Sequence, residues 1–310
     1  MSEIIQIEHL AKYYQDVKAV DDISFHVSKG EMFGFLGVNG AGKSTTINML
    51  CTLLTPTRGT VSVDGLTLGK DNQKIKYKIG VVFQNNCLDK RLTVKENLLI
   101  KGSLYEAENR KLKAQLEKVT EILELSDVLN RRYGKLSGGQ KRRCEIASAL
   151  LHTPEILFLD EPTTGLDPAA RQSVWKTIHQ LQKEMGMTVF LTTHYMEEAA
   201  KANHIAIMDH GKLVEFGTPF SLKERFAKDK LNLLPKQDAR EHLMKLLRQN
   251  QIPFKEKEEY LRIYQDRTID AIALLQRYQE YLEGFEVIQG TMDDVFLNVT
   301  AQNWEEMEHA

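Results

Sequence analysis

The stretch GVNGAGKSTT, Gly37 to Thr46, limits the possible folds more than any other part of the chain. It satisfies G-x-x-x-x-G-K-[ST] through Gly37, Gly42, Lys43 and Ser44. A β-prone apolar run at 32–36 precedes it, and a helical pattern over 41–50 follows. Strand, glycine loop and helix in that order make a cradle for phosphate. The glycines let backbone N–H groups turn inward around phosphate oxygens. The helix N-terminus adds partial positive charge. Lys43 is expected to reach the β- and γ-phosphates, and Ser44 to ligate Mg²⁺. Asn39, Gly40, Ala41 and Thr45 belong to the same nucleotide-binding loop.

Such a unit belongs in an α/β fold with a buried parallel sheet. Short apolar runs at 31–36, 79–83, 156–159, 188–191 and 205–208 read as strands covered on both faces. Segments 4–10 and 22–27 read as antiparallel strands beside them. Residues 92–133 are rich in Leu, Glu and Lys with helical periodicity, as in a helical insertion. Beyond the turn-rich HGKLVEFGTPFSL, strands are expected at 230–234, 260–265 and 285–289. Helices are expected at 237–250, 268–281 and 292–300. The predicted division is a large domain over 1–220, with a helical subdomain at about 86–150, and a small α/β domain over 221–310.

Composition narrows the function classes. Lys plus Arg is 41 and Asp plus Glu is 43, so no overall basic field calls for nucleic acid. The run Lys141-Arg142-Arg143 reads as a solvated helix face. Cys51, Cys87 and Cys144 are scattered without C-x-x-C spacing, which argues against a disulfide framework or a structural zinc and fits a reducing cytoplasm. The start, MSEIIQIEHLAKYY, does not read as a signal peptide, and the apolar runs are too short to span a bilayer. Work at a membrane would need a partner chain.

Four further features carry chemistry. ILFLDEP places Asp160 and Glu161 after a hydrophobic strand, where parallel sheets bind ligands. Asp160 is expected to hold Mg²⁺ and Glu161 to polarise the attacking water as a general base. VFLTTHYMEEA sets His194 just past another strand, where an imidazole can bond a γ-phosphate and orient that water. A lone histidine there is more often a loop or capping residue; the two threonines and the shared sheet edge tip the balance. Gln84, in VVFQNN, ends a strand and begins the helical insertion, so its amide can sense Mg²⁺ or water. Tyr14 is expected to stack on a purine, with Tyr13 the competing choice.

LSGGQ, Leu136 to Gln140, completes the set. The phosphate loop, Gln84, LSGGQ, Asp160-Glu161 and His194, in that order, resemble the nucleotide-binding subunit of ATP-binding-cassette (ABC) transporters over residues 1–220. TTGLDP, TTHYMEEA and the closing TMDDVFLNVT resemble the bacterial exporters whose membrane partner is an ABC-2-type permease. Val38 stands where the family often has proline, and Gln140 where this subfamily often has methionine.

The resemblance implies a P-loop NTPase core with antiparallel β and helical subdomains. It implies ATP and Mg²⁺ as ligands. It also implies head-to-tail pairing of two cassettes, here a homodimer, in which Ser137, Gly138, Gly139 and Gln140 of one copy cover ATP on the other. Ser137 suits an N-cap, and the two glycines permit close backbone approach. Asp167 resembles the family's loop at that interface. The implied activity is ATP hydrolysis that powers export through a separate permease, at the cytoplasmic face of the cell membrane. The rival is a soluble ABC ATPase of translation or DNA repair, which usually carries two cassettes, a long coiled coil or a zinc module.

Overall fold

The computed structural model describes residues 2–85 and 87–308. Asn86, the expected start of the helical subdomain, and residues 309–310 at the chain end lie outside the described residues. The chain divides into two compact units, Met1–Phe216 and Gly217–Ala310.

The first unit holds two sheets. In one, β1 (Glu3–Tyr14) and β2 (Val17–Ser28) form an antiparallel hairpin that continues into β4 (Arg58–Val63) and β5 (Leu66–Thr67). The other has the order β10-β9-β3-β8-β7-β6. Its strands are β3 (Met32–Gly37), β6 (Ile79–Val82), β7 (Ile156–Asp160), β8 (Thr188–Thr193), β9 (His204–Asp209) and β10 (Lys212–Gly217). From β9 to β6 every pairing is parallel. Every residue of β3, β7 and β8 is buried, which explains their unbroken apolar runs.

A phenylalanine cluster joins the two sheets. Phe25 of β2 stacks on Phe33 of β3 at 5.3 Å, and Phe190 of β8 lies 5.0 Å from Phe33 and 5.2 Å from Phe158 of β7. Such ring pairs add about 0.5–1.5 kcal/mol each beyond burial. This packing holds the strand ends in fixed register.

Helices α1 (Lys43–Leu50), α2 (Asn72–Lys78), α6 (Pro168–Met185) and α7 (Met196–Ala199) connect the strands. Between β6 and β7 comes the expected helical segment: α3 (Val94–Gly102), α4 (Asn109–Ile122) and α5 (Gly138–Leu150). Thr93 and Glu96 form a reciprocal capping box that starts α3. In α4, Leu112, Leu116 and Val119 turn inward while the Lys and Glu residues face water, so one stripe pins the helix.

The second unit packs helices on an antiparallel sheet of order β12-β13-β11-β14. The strands are β11 (Asp229–Pro235), β12 (Lys255–Glu256), β13 (Leu261–Gln265) and β14 (Leu282–Ile288). The helices are α8 (Pro219–Phe226), α9 (Arg240–Gln249), α10 (Ala271–Tyr278) and α11 (Met292–Glu308). Leu231, Leu233, Leu243, Leu247, Leu261, Ile263 and Tyr278 make its core.

Candidate nucleotide site

Parallel register brings the candidate residues to one edge. Leu36 pairs with Thr193, Val82 with Leu159, and Asp160 with Thr192. The carboxyl ends of β3, β6, β7 and β8 therefore open side by side, and the phosphate loop, Gln84, Glu161 and His194 each follow one of them. A cleft of ≈ 480 Å³ lies there. Asn39, Gly40, Gly42, Lys43, Ser44, Thr45, Gln84 and Glu161 line it.

The loop is built for a close ligand. Gly42 caps α1 with φ at 105°, in the left-handed region, and brings no side chain to the helix start. A Cβ there would meet the carbonyl of Ala19 at 2.4 Å. Gly37 is as tight, because a Cβ would lie 2.6 Å from the carbonyl of Met208. Gly37 and Ala41 thus shape the loop from beneath. Lys43 is 5% exposed and donates to the carbonyls of Gly37 at 2.8 Å and Val38 at 3.0 Å. Burial pushes its ammonium below the usual pKa, and the Glu161 and Asp160 carboxylates oppose that shift. A buried cation held by two loop carbonyls, above a glycine loop, fits a polyanionic phosphate chain.

Thr192 ties the Asp160 carboxylate to the Glu161 backbone. Its Oγ1 donates to Asp160 Oδ1 at 2.6 Å and accepts from the Glu161 backbone N–H at 3.0 Å. Glu161 has φ at 45°, a left-handed conformation that strains a side-chain-bearing residue. That turn aims its carboxylate into the cleft. Gln84 Nε2 donates to Glu161 Oε2 at 3.0 Å, and Thr164 Oγ1 to the same oxygen at 3.1 Å. His194 Nδ1 lies 3.2 Å from Glu161 Oε1. The pair is close, but Nδ1 is not aligned as a hydrogen bond and is buried without one. Two sequence-predicted side chains, Gln84 and His194, thus converge on one carboxylate, joined by Thr164.

Other candidates lie elsewhere. Tyr14 ends β1 half-exposed, with Lys12 over its ring at 5.2 Å, and does not line the cleft. Tyr13 Oη donates to Asp21 at 2.6 Å. Ser137 caps α5: its hydroxyl accepts from the Gln140 N–H at 3.3 Å, and the Ser137 N–H donates to Gln140 Oε1 at 3.1 Å. Gln140 therefore closes a capping box that methionine could not. Asp167 caps α6, accepting from the Ala170 N–H at 2.9 Å. Ser137, Gly138, Gly139, Gln140 and Asp167 stand outside this chain's own cleft.

One expectation is overturned. Lys141-Arg142-Arg143 is not a solvated face, because Arg142 is 5% exposed. It shares the inward stripe of α5 with Glu145, Ile146 and Ala149, and three backbone carbonyls accept its protons. Sequence reading also missed Val17, Lys18, Ala19, His210 and Gly211, which complete the cleft wall. Gly211 carried a signal, as the glycine of a two-residue turn between β9 and β10: a Cβ there would meet the Lys18 carbonyl at 2.7 Å.

Comparison with known proteins agrees with this geometry. The family model described as "ABC transporter" matches residues 20–164. Over 227 residues, 73% of this chain and 73% of the relative, the sequence is 41% identical to the linearmycin resistance ATP-binding protein LnrL of Bacillus subtilis (strain 168). The chain belongs to the ATP-binding subunits of ABC transporters.

The cassette is also 36% identical over 312 residues to the daunorubicin/doxorubicin resistance ATP-binding protein DrrA of Streptomyces peucetius. That match covers 96% of this chain and 92% of the relative, so it extends through the second unit. In structure the cassette is similar to a dimeric post-hydrolysis state of the cassette MJ0796 bound to ADP and Pi. The TM-score is 0.62 at 26% identity, over 69% of this chain and 98% of that one. The cassette is an ATPase with the P-loop NTPase fold.

Proposed function

We propose that this cassette powers export through a separate ABC-2-type permease, as a homodimer at the cytoplasmic face of the membrane. In this reading Met1–Phe216 is the motor and Gly217–Ala310 an accessory domain. The observation that carries it is the convergence of Gln84 and His194 on Glu161 at the cleft. Glu161 takes a proton from the attacking water, and Gln84 and His194 hold that water and the γ-phosphate in line. Lys43 and the loop amides bind the β- and γ-phosphates. Ser44 and Asp160 are oxygen donors suited to Mg²⁺, which would supply charge neutralisation at the phosphates. Tyr14 would stack on the base.

Ser137, Gly138, Gly139 and Gln140, beside Asp167, would complete the site on a second copy. The glycine-lined start of α5 offers the N–H groups of Gly138 and Gly139 and partial positive charge to a γ-phosphate. ATP would close the dimer and hydrolysis would reopen it.

No helix among the described residues is long and apolar enough to cross a membrane, which suits a motor that borrows its channel. The names of the relatives, resistance proteins against linearmycin and daunorubicin, support export. A groove of ≈ 270 Å³ between β6 and the helical segment supports docking of a permease helix. Its exposed Leu53, Leu104 and Tyr105 would be covered, with Lys76 and Lys101 placed for acidic partners.

The test is ATP turnover and dimerisation of purified variants. Glu161→Gln is expected to keep ATP binding, lose about two to four decades of turnover, and accumulate as an ATP-bound dimer. Ser137→Arg is expected to block that dimer. Near-normal turnover in the first variant, or an ATP-dependent dimer in the second, would sink the reading.

A further inference from the structure

The Arg142 guanidinium is a buried charge beside the site that the proposed chemistry does not use. Nε donates to the carbonyl of Pro162 at 2.7 Å, Nη1 to Phe83 at 2.6 Å, and Nη2 to Asp160 at 2.9 Å. Phe83 immediately precedes Gln84, and Asp160 and Pro162 flank Glu161. One side chain on α5 therefore holds the backbone next to both groups. Its neighbour Glu145, with Oε2 3.6 Å from Nη1, adds a second grip. Glu145 Oε1 accepts from the Cys87 N–H at 2.9 Å, on the other side of Gln84, and from Tyr133 Oη at 3.0 Å. All three of these side chains are at least nine-tenths buried.

We propose that Arg142 is a positioning residue for hydrolysis: its three-way fork fixes Gln84 and Glu161 relative to each other and to the helix that begins at Ser137. The proposal rests on reading Glu161 and Gln84 as the hydrolytic groups. The geometry demands arginine. Three nitrogens in a rigid plane reach three carbonyls on two different loops, and a single ammonium on a flexible stem cannot span them. The same helix presents Ser137 to the other copy, so the fork links closure of the partner's site to the alignment of this chain's own carboxylate. Glu161, held in a left-handed turn, depends on such support on both flanks, with Thr192 on one side and Arg142 on the other.

The test uses the full chain with ATP and Mg²⁺. Arg142→Gln and Arg142→Lys are both expected to lower kcat by about tenfold or more, since small misplacements of reacting groups are costly. KM for ATP is expected to stay within about twofold, because the phosphate loop is untouched. The double variant Arg142→Gln/Gln84→Ala is expected to be strongly non-additive, as for residues acting through one another. A fourth variant, Arg142→Gln/Glu145→Gln, removes the buried carboxylate that the first change would leave without its cation, and thermal melting verifies folding.

Unchanged kcat in a folded Arg142 variant would overturn the proposal. So would full activity in Arg142→Lys, additivity with Gln84→Ala, or failure of every variant to fold. Glu161→Gln runs in parallel. Near-normal turnover there defeats the reading of Glu161 itself. Low turnover there beside normal turnover in Arg142→Gln defeats this proposal alone.

Discussion

Replacing Glu198 by alanine should destabilise the first unit more than most single changes. Glu198 sits on α7, four residues after His194, and is 2% exposed. Its carboxylate gathers three donors from three segments. Oε1 accepts from Trp175 Nε1 at 3.0 Å and from Thr163 Oγ1, and Oε2 accepts from Thr193 Oγ1 at 2.8 Å. Thr163 and Thr193 are 0% and 1% exposed, and Trp175 is 3% exposed, so water cannot take over freely. An orphaned buried donor costs about 1–3 kcal/mol. The two hydroxyls can rotate towards other acceptors and belong at the low end; the indole N–H is fixed in its ring and belongs at the high end.

Glu198→Ala is therefore expected to lose about 3–5 kcal/mol, a large part of the ~5–15 kcal/mol that holds an ordinary domain together. The assay is urea unfolding followed by Trp175 fluorescence, in a Trp304→Phe background so that one indole reports. Turnover should fall as well, because Thr193 Oγ1 also accepts from the Tyr195 N–H at 2.9 Å beside His194. A loss below about 1 kcal/mol would refute the claim that this carboxylate is a hub, since at least one donor would then have found an equal partner.

Three further outcomes are expected. Gly42→Ala should weaken ATP binding by at least about tenfold, as seen in a nucleotide titration, because its Cβ would strike the Ala19 carbonyl; Gly65→Ala, also at positive φ but in open space, should bind normally. Thr192→Val, nearly isosteric, should lose about 1–3 kcal/mol in a denaturant titration and slow turnover, because it strips the hydroxyl from between Asp160 and Glu161. Finally, Tyr13, through its hydrogen bond, and then Lys18 hold the Asp21 carboxyl below its usual pKa. A depressed folded pKa gives stability that is present above the unfolded value and lost as pH falls through the folded one. The difference in melting temperature between the native chain and Asp21→Asn should therefore shrink on acidification below about pH 4.

The strands that place the site were readable because they are buried on both faces. β3, β7 and β8 have no polar side to interrupt the apolar run, and their ends carry the motifs. β4 escaped notice because Arg58, Gly59 and Thr60 are exposed and leave only Val61 and Val63 as a core signal. β10 has no fully buried residue, so its Lys and Glu mask it. The wall formed by Val17–Ala19 and Gly211 arises from a hairpin and a loop brought together across the chain, which no local pattern encodes. Arg142 could have been found. It stands four residues before Ile146 and seven before Ala149, on the apolar stripe of its own helix, but three consecutive cations obscure which one turns inward.

The left-handed backbone at Glu161 has a consequence for how this position would score in a mutational survey. A folding reporter would favour glycine or asparagine there, since either relaxes a turn that strains glutamate by about 1 kcal/mol or more. A growth selection that needs ATP turnover would reject both. The two landscapes should slope in opposite directions at this codon, so the sign of that disagreement is a way to locate the reacting carboxylate without purifying the protein.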